Sequence, residues 1–173
     1  MRGLPPLEGA PIRIRFLRRL FVRRRRLESG PHGAEVHAAT FLRKRLILLE
    51  TALLRHQSEL ARILVHELFH FVWLRLGNPV RRSFEALLRR ESGAYAAGEL
   101  GWSAEWRKQA LGVRDRRERT RRWREYVCES FCDSAAWWLA GKRRHGEFTL
   151  AARFRQSRRA WFGRLVAGPA MSV

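Results

Sequence analysis

Two histidines and a glutamate interrupt an otherwise apolar stretch of the sequence, "ILVHELFHFVW", residues 63–73. His66 and His70 are four residues apart, so on an α-helix they share one face, with their Cβ atoms about 6 Å apart. Two imidazoles at that separation can both reach one zinc ion, each at about 2.0–2.1 Å. Glu67 is rotated by about 100° from His66, so it can flank the metal and accept a proton from a zinc-bound water. This H-E-x-x-H arrangement, with the glutamate as general base, predicts a catalytic zinc site.

The competing interpretation is a buried core helix whose two histidines have ordinary hydrogen-bond partners. The residues around the motif are uncharged, as both interpretations require: Val65, Leu68, Phe69, Phe71 and Val72. Without a metal, two buried imidazoles and a carboxylate would each need a partner, because unpaired buried polar groups are costly. That cost favours the metal.

A catalytic zinc site also needs a third protein ligand and one open position. A third histidine shortly after the motif, which some zinc peptidases use, is absent from this sequence. The segment "YVCESFCDSAAWW", residues 126–138, supplies Glu129 and, four residues later, Asp133, so both carboxylates project from one face of a predicted helix. We expect Glu129 to complete the zinc site and Asp133 to accept the Nδ1–H of a ligating histidine, which we take to be His66.

Other third ligands stay open at this point. Asp133 itself, Glu125 and Asp115 are alternative carboxylates. Thiolates bind zinc well, so Cys128 and Cys132 on the same predicted helix are a further alternative. Against them, a free cysteine is more often a small buried hydrophobic residue.

In these motifs the chain resembles the gluzincin metallopeptidases, whose pattern is H-E-x-x-H followed by E-x-x-x-D on a downstream helix. The matching positions are His66, Glu67, His70, Glu129 and Asp133. The resemblance covers the motifs and the order of elements from about residue 36 to 140. It implies a zinc cofactor, hydrolysis of peptide bonds in a peptide or protein substrate, and a fold that pairs a small sheet with the active-site helix.

Hydrolysis of a peptide bond also requires a donor that stabilises the oxyanion. In gluzincins a histidine or a tyrosine has this role. Three residues of this chain are available for it, namely His145, Tyr126 and Tyr95. We favour His145 as a catalytic residue, with Tyr126 as the alternative oxyanion stabiliser.

Strands are predicted ahead of the motif helix. From Ile12 the order Ile-Arg-Ile-Arg-Phe alternates apolar and basic residues, which is typical of a strand with one solvated face. Residues 36–51 carry β-branched and aromatic residues and predict one or two strands. The strand over residues 45–50 precedes the motif helix, where zincins carry the edge strand that pairs with an extended substrate. An ordinary core strand is the alternative there.

Helices dominate the rest of the chain. We expect helices over residues 59–76, 82–91, 103–111, 118–140 and 150–166, with Gly77 ending the first and residues 92–102 forming a mobile loop. The expected fold is therefore α+β and zincin-like, with a small mixed β-sheet packed on the active-site helix and a helical C-terminal half. The whole chain, residues 1–173, is expected to form a single domain, with residues 1–11 flexible.

The charge balance raises a second hypothesis. The chain has 36 basic and 16 acidic residues, a net charge of +20 and a pI near 11.8. Such a balance attracts anions and favours non-specific contact with nucleic acid through arginine, so a basic nucleic-acid-binding protein is the main alternative function. No basic stripe with interleaved aromatic residues matches a known nucleic-acid-binding module. An inactive zinc-bound regulator on a peptidase fold is a third hypothesis.

Location is inferred from what the sequence lacks. The N-terminal residues have no apolar core of a signal peptide, and no run of 18 apolar residues predicts a transmembrane segment. Two cysteines four residues apart do not form the framework of a secreted disulfide-rich protein. We therefore expect a cytoplasmic protein.

Overall fold

In the computed structural model, the described part of the chain forms three small sheets and six α-helices. The structure describes residues 4–23, 26–28, 34–142 and 144–173, with only the backbone at 22, 23, 26–28 and 34. The strands are β1 (Leu7–Glu8), β2 (Arg13–Leu17), β3 (Phe21–Arg23), β4 (Arg26–Glu28), β5 (Ala34–Glu35), β6 (Ala38–Phe41), β7 (Leu46–Glu50) and β8 (Met171–Ser172). The helices are α1 (Gln57–Arg75), α2 (Asn78–Gly93), α3 (Trp102–Gln109), α4 (Val113–Glu118), α5 (Arg121–Leu139) and α6 (Ala152–Val166).

The sheet that supports the motif helix has the order β2–β7–β6, with β2 parallel and β6 antiparallel to β7. Strand β7 is the central strand, and Ile47, Leu48 and Leu49 are buried in it. An almost continuous apolar run suits a strand that is covered on both faces. The expectation that residues 45–50 form the edge strand is therefore wrong. The edge strand on this side is β6.

Strand β2 is present where the alternation predicts a strand, but its apolar residues stay on the surface. All five of its residues are exposed, including Ile14 and Phe16. The alternation therefore predicted a strand correctly, but neither face of β2 is buried. Before it, Leu7 and Glu8 pair with Met171 and Ser172, so part of the segment expected to be flexible forms a strand.

Helix α1 carries the H-E-x-x-H motif and is two residues longer at its start than predicted. Gly77 does not close it in a left-handed conformation; it is extended and immediately precedes α2. Pro79 stands in the first turn of α2, a position in which its missing N–H costs nothing. The second helix is accordingly longer than the predicted 82–91.

Helices α1 and α5 pack side by side and bring the two halves of the proposed metal site together. Phe69 on α1 lies with its ring centroid 5.7 Å from that of Phe131 on α5. Phe131 also stacks on Phe162 of α6 at 5.2 Å, and Phe84 of α2 closes the cluster. All four rings are fully buried, so this aromatic core fixes the relative position of the helices.

In the segment 92–102, expected to be a mobile loop, the ends belong to α2 and α3, and residues 94–101 form the connection between these helices. Glu99 and Leu100 in this segment are completely buried. The described chain is a mixed α+β fold with small sheets and a helical C-terminal half. None of its described helices has the length and hydropathy needed to cross a membrane.

Candidate metal centre

Three donor atoms from α1 and α5 converge on one point. The Nε2 atoms of His66 and His70 lie 3.2 Å apart, and Glu129 Oε2 lies 3.4 Å and 3.9 Å from them, respectively. Donors of a tetrahedral zinc site at about 2.0–2.1 Å from the metal stand about 3.3–3.4 Å from one another. Two of the three distances match this value and the third is about half an ångström longer, so the group fits a zinc ion.

Asp133 orients the first histidine. Its Oδ1 lies 2.7 Å from Nδ1 of His66, and its Oδ2 accepts the backbone N–H of Ala104 at 2.9 Å. When Nδ1 alone carries a proton, as metal binding would require, the lone pair of His66 Nε2 faces Glu129 and His70. Burial alone would lower the pKa of His66, but the carboxylates of Asp133 and Glu129 outweigh it and raise this pKa well above its ordinary value.

A glycine makes room for the Asp133 carboxylate. A Cβ placed on Gly101 would lie 2.2 Å from Asp133 Cγ, far inside van der Waals contact. The φ of Gly101 is −176°, which any residue can adopt, so the requirement for glycine is steric. Gly101 directly precedes α3, and the start of α3 therefore lies next to the candidate metal site.

Arg107 of α3 holds the other oxygen of Glu129. Its Nη2 lies 3.1 Å from Glu129 Oε1, its Nη1 donates to the carbonyl of Ser103 at 2.6 Å, and its guanidinium covers the ring of Trp106. Burial would raise the pKa of Glu129, but the hydrogen bond to His66 and the charges of His70, His66 and Arg107 lower it to about 2. Glu129 is therefore a carboxylate, with Oε2 directed at the histidines.

The two cysteines contact the other nitrogen of the second histidine. Nδ1 of His70 lies 3.6 Å from Cys128 Sγ and 3.5 Å from Cys132 Sγ. The hydrogen bond from Cys132 and the contact with His70 lower the pKa of Cys128 to about 6 despite its burial, whereas burial raises that of Cys132. His70 and the two thiols are also close enough to hold a metal, so the thiolate alternative stays open. The set with His66 and Glu129 uses Nε2 of His70, whereas the set with the two cysteines uses its Nδ1.

Glu67 lines a cavity of about 290 Å³ that opens beside His66. Asp133 and Trp102 contribute to its walls, and residues 36–38 at the start of edge strand β6 form one side. Glu67 is half-buried there. The general base expected from the motif thus borders the space next to the proposed metal ligands.

His37, which sequence reasoning missed, also lines this cavity. Its Nδ1 lies 2.8 Å from Glu50 Oε2, so the carboxylate fixes the orientation of the ring. Its Nε2 has no hydrogen-bond partner among the described residues. No spacing motif around "VHAAT" identifies this histidine as a functional residue, because its partner Glu50 lies on another strand.

The structure places His145 in a neighbouring ion-pair cluster. Nδ1 of His145 accepts the backbone N–H of Glu147 at 3.2 Å, and its Nε2 lies 3.3 Å from Glu59 Oε2. Arg62 and Lys142 pair with the same carboxylates. Glu59, His145 and Glu147 are close enough to hold a metal, but these cations already neutralise the carboxylates. His145 therefore is not brought to the donor atoms of His66, His70 and Glu129.

Tyr126 is also directed elsewhere. Its hydroxyl donates to Glu99 Oε1 at 2.5 Å, in a buried cluster where Glu99 pairs with Arg158 at 2.6 Å and Lys108 at 3.3 Å. Burial and the charge of Glu99 raise the pKa of Tyr126 well above its ordinary value. Committed in this way, the hydroxyl does not reach the cavity beside His66. Tyr95 is 94% exposed.

The alternative carboxylates have other partners. Asp115 accepts the N–H of Gly112 and the hydroxyl of Thr120, and it caps α4. Glu125 pairs with Arg121 on the surface of α5. Glu129 is thus the carboxylate that the structure brings to both histidines.

No family model, curated protein or solved structure matches this chain. Its functional assignment therefore depends on the motif and on the geometry described above.

Proposed function

We propose that this chain is a zinc-dependent peptidase of the gluzincin type on a zincin-like fold. One observation carries the proposal: donor atoms of His66, His70 and Glu129, from two packed helices, converge at distances that suit zinc. The contact of Asp133 with His66 Nδ1 supports it, because zinc-bound histidines usually donate their second N–H to a carboxylate or carbonyl. The order of the sheet, with an antiparallel edge strand beside the motif helix, is in keeping with the proposed fold.

The metal would be held by His66, His70 and Glu129, with Asp133 and Arg107 fixing the orientation of two of these ligands. When bound there, zinc would lower the pKa of a water molecule to about 7 and polarise the substrate carbonyl. Three protein ligands leave the fourth position open for that water.

Glu67 acts as the general base. It takes a proton from the attacking water as the water oxygen bonds to the carbonyl carbon. It then transfers that proton to the amine nitrogen as the C–N bond breaks. Its place in the cavity wall next to His66 suits both transfers.

The substrate lies along β6, where an extended peptide can pair with the free edge of the sheet. His37 stands at the start of this strand. Its Nδ1 lies 2.8 Å from Glu50 Oε2, and His37 lines the cavity, so an N–H on Nε2 would supply the donor that an oxyanion needs. His37 therefore takes the role that the sequence had suggested for His145 or Tyr126.

The test compares zinc content with peptide hydrolysis. Glu67→Gln should retain one zinc per chain and lose cleavage of a mixed peptide substrate by a factor of about 10²–10⁴, because the general base is removed. Glu118→Gln, which changes the same side chain in an exposed ion pair, should leave both unchanged. Absence of zinc from wild-type protein prepared without chelator would contradict the metal site. Bound zinc without hydrolysis would contradict the peptidase and favour the inactive regulator.

A further inference from the structure

A second cavity, of about 270 Å³, lies between α2 and the start of α5 and is lined mainly by arginine. Its walls include Arg81, Arg82, Arg119, Arg124, Glu85 and Trp73. We call it the arginine cavity. It shares none of the residues that line the cavity beside His66.

The single carboxylate of the arginine cavity is already fully engaged. Glu85 receives Nε and Nη2 of Arg119 at 2.8 Å and 2.7 Å, Nη2 of Arg89 at 3.0 Å and the indole N–H of Trp123 at 2.9 Å. Burial would raise the pKa of Glu85, but these donors outweigh it and lower it. Glu85 therefore remains charged and pairs with both Arg119 and Arg89, so its single negative charge is shared by two guanidiniums.

The other three arginines that line the cavity have no carboxylate partner among the described residues. Arg81, Arg82 and Arg124 form no hydrogen bond or ion pair through their side chains in the part of the chain that the structure describes. Nε of Arg81 is buried without a hydrogen-bond partner there. A buried donor without an acceptor is unfavourable, so an anion that supplies acceptor oxygens would be stabilised at this position.

The chemistry of the lining selects the class of anion. Guanidinium groups bind the oxygens of phosphate in pairs and from a fixed planar geometry. Several arginines around one cavity suit a group that carries two or more negative charges and many acceptor atoms. Trp73, whose ring packs on Phe131, provides one flat apolar wall. We infer that the arginine cavity binds a phosphate-bearing anion through Arg81, Arg82 and Arg124.

Two sources share this chemistry, namely a small free phosphate compound and the backbone of a nucleic acid. Pyrophosphate titrated into the intact protein at constant ionic strength, followed by calorimetry, probes the first source. A fluorescent single-stranded oligonucleotide, followed by anisotropy and then challenged with pyrophosphate, probes the second. Binding of pyrophosphate alone identifies a small ligand. Oligonucleotide binding that pyrophosphate displaces identifies a nucleic-acid backbone.

Matched arginine variants make the test specific. Arg124→Gln and Arg81→Gln should each weaken binding of the probe by about tenfold or more, as expected when a charge-assisted hydrogen bond is lost. Arg82→Gln, at an exposed position, serves if Arg81→Gln does not fold. Arg90→Gln removes the same charge from an exposed position of α2 outside the cavity and should leave binding nearly unchanged. These variants also separate the arginine cavity from any capture of pyrophosphate at a bound metal, since none of them alters His66, His70 or Glu129.

Two results would overturn the inference. One is the absence of binding of either probe at low ionic strength. The other is equal weakening by Arg90→Gln and Arg124→Gln, which would indicate diffuse attraction to a protein of high net charge. Because binding here does not require Glu67, failure of the peptidase assay would leave this test unaffected.

Discussion

Arg107 pairs with one carboxylate oxygen of Glu129 and leaves the other oxygen directed at His66 and His70. Its Nη2 lies 3.1 Å from Oε1, whereas Oε2 faces the two histidines. Arg107 is itself fixed by the carbonyl of Ser103 and the ring of Trp106. The carboxylate therefore offers one oxygen to a metal, and its orientation depends on a residue of α3.

Arg107→Gln should weaken zinc binding by about 10- to 100-fold, as is usual when a partner of a metal ligand is removed. The measurement is competition for zinc with a chromogenic chelator. Arg114→Gln breaks an exposed pair with Glu118 and removes the same charge, so it should leave the zinc affinity unchanged. If Arg107→Gln binds zinc as tightly as the wild type, Arg107 does not position Glu129.

Gly101→Ala should lower zinc affinity through Asp133. The added methyl group would overlap the Asp133 carboxylate, whose Cγ would lie 2.2 Å away, and would displace it from His66 Nδ1. We expect a loss of thermal stability as well, because the same carboxylate accepts the N–H of Ala104.

Gly163→Ala is the matched control for this substitution. Gly163 lies inside α6, and a Cβ there meets no atom within 4 Å. This change should stabilise the protein by about 0.5–1 kcal/mol, because alanine favours a helix over glycine, and should leave zinc affinity unchanged. Equal effects of Gly101→Ala and Gly163→Ala on zinc binding would contradict the steric argument.

Local patterns predicted part of this architecture. His66 and His70, like Glu129 and Asp133, are separated by four residues on one helix, and that spacing is visible in the sequence because the helical repeat is local. The long helices around them follow from the same repeat. The structure adds that α1 and α5 lie side by side, which brings the two pairs together.

The contacts that position these residues could not be predicted in the same way. Arg107, Gly101 and His37 act across elements that are distant in sequence, and nothing in their local sequence distinguishes them from other arginines, glycines and histidines. The sheet order depends on non-local pairing, so the apolar run in β7 identified a strand without identifying its place. Tyr126 lies within one helical turn of Glu129, but its hydroxyl donates a hydrogen bond to Glu99, a residue that tertiary packing buries.

His37→Ala should reduce peptide hydrolysis more than His145→Ala. His37 lines the cavity with Nε2 available, whereas His145 is engaged by Glu59 and Glu147. We expect kcat to fall by about 10²-fold in His37→Ala with zinc content unchanged, as for the loss of one oxyanion donor. The opposite ranking of the two variants would restore His145 to the catalytic role.

Cobalt substitution should distinguish the two metal sets that share His70. If His66, His70 and Glu129 hold the ion, the Co²⁺ protein should lack a thiolate-to-metal charge-transfer band. The double variant Cys128→Ser and Cys132→Ser should then still bind one Co²⁺, with affinity reduced because His70 loses the contacts at Nδ1. A thiolate band that disappears in the double variant would instead assign the metal to the cysteines.

The buried pair of Glu99 and Arg158 should make the protein sensitive to acid. Burial would raise the pKa of Glu99, but the charge and hydrogen bonds of Arg158 lower it to about 2 from its ordinary 4.5. Between these two pH values the unfolded chain takes up a proton that the folded protein does not, so the free energy of unfolding falls as the pH falls. The full contribution of Glu99 to the free energy of unfolding is present above about pH 4.5. About 3 kcal/mol of it is lost as the pH falls from there through about 2.

Glu99→Gln tests this dependence by urea denaturation at about pH 6 and about pH 3. The variant should be less stable by about 3–5 kcal/mol at the higher pH, since it leaves the buried Arg158 with Glu91 as its remaining carboxylate partner. It should also lose less stability than the wild type between the two pH values. Glu118→Gln, in an exposed pair, should follow the wild type at both. If Glu99→Gln and the wild type lose the same stability on acidification, Glu99 is not the group that links folding to pH.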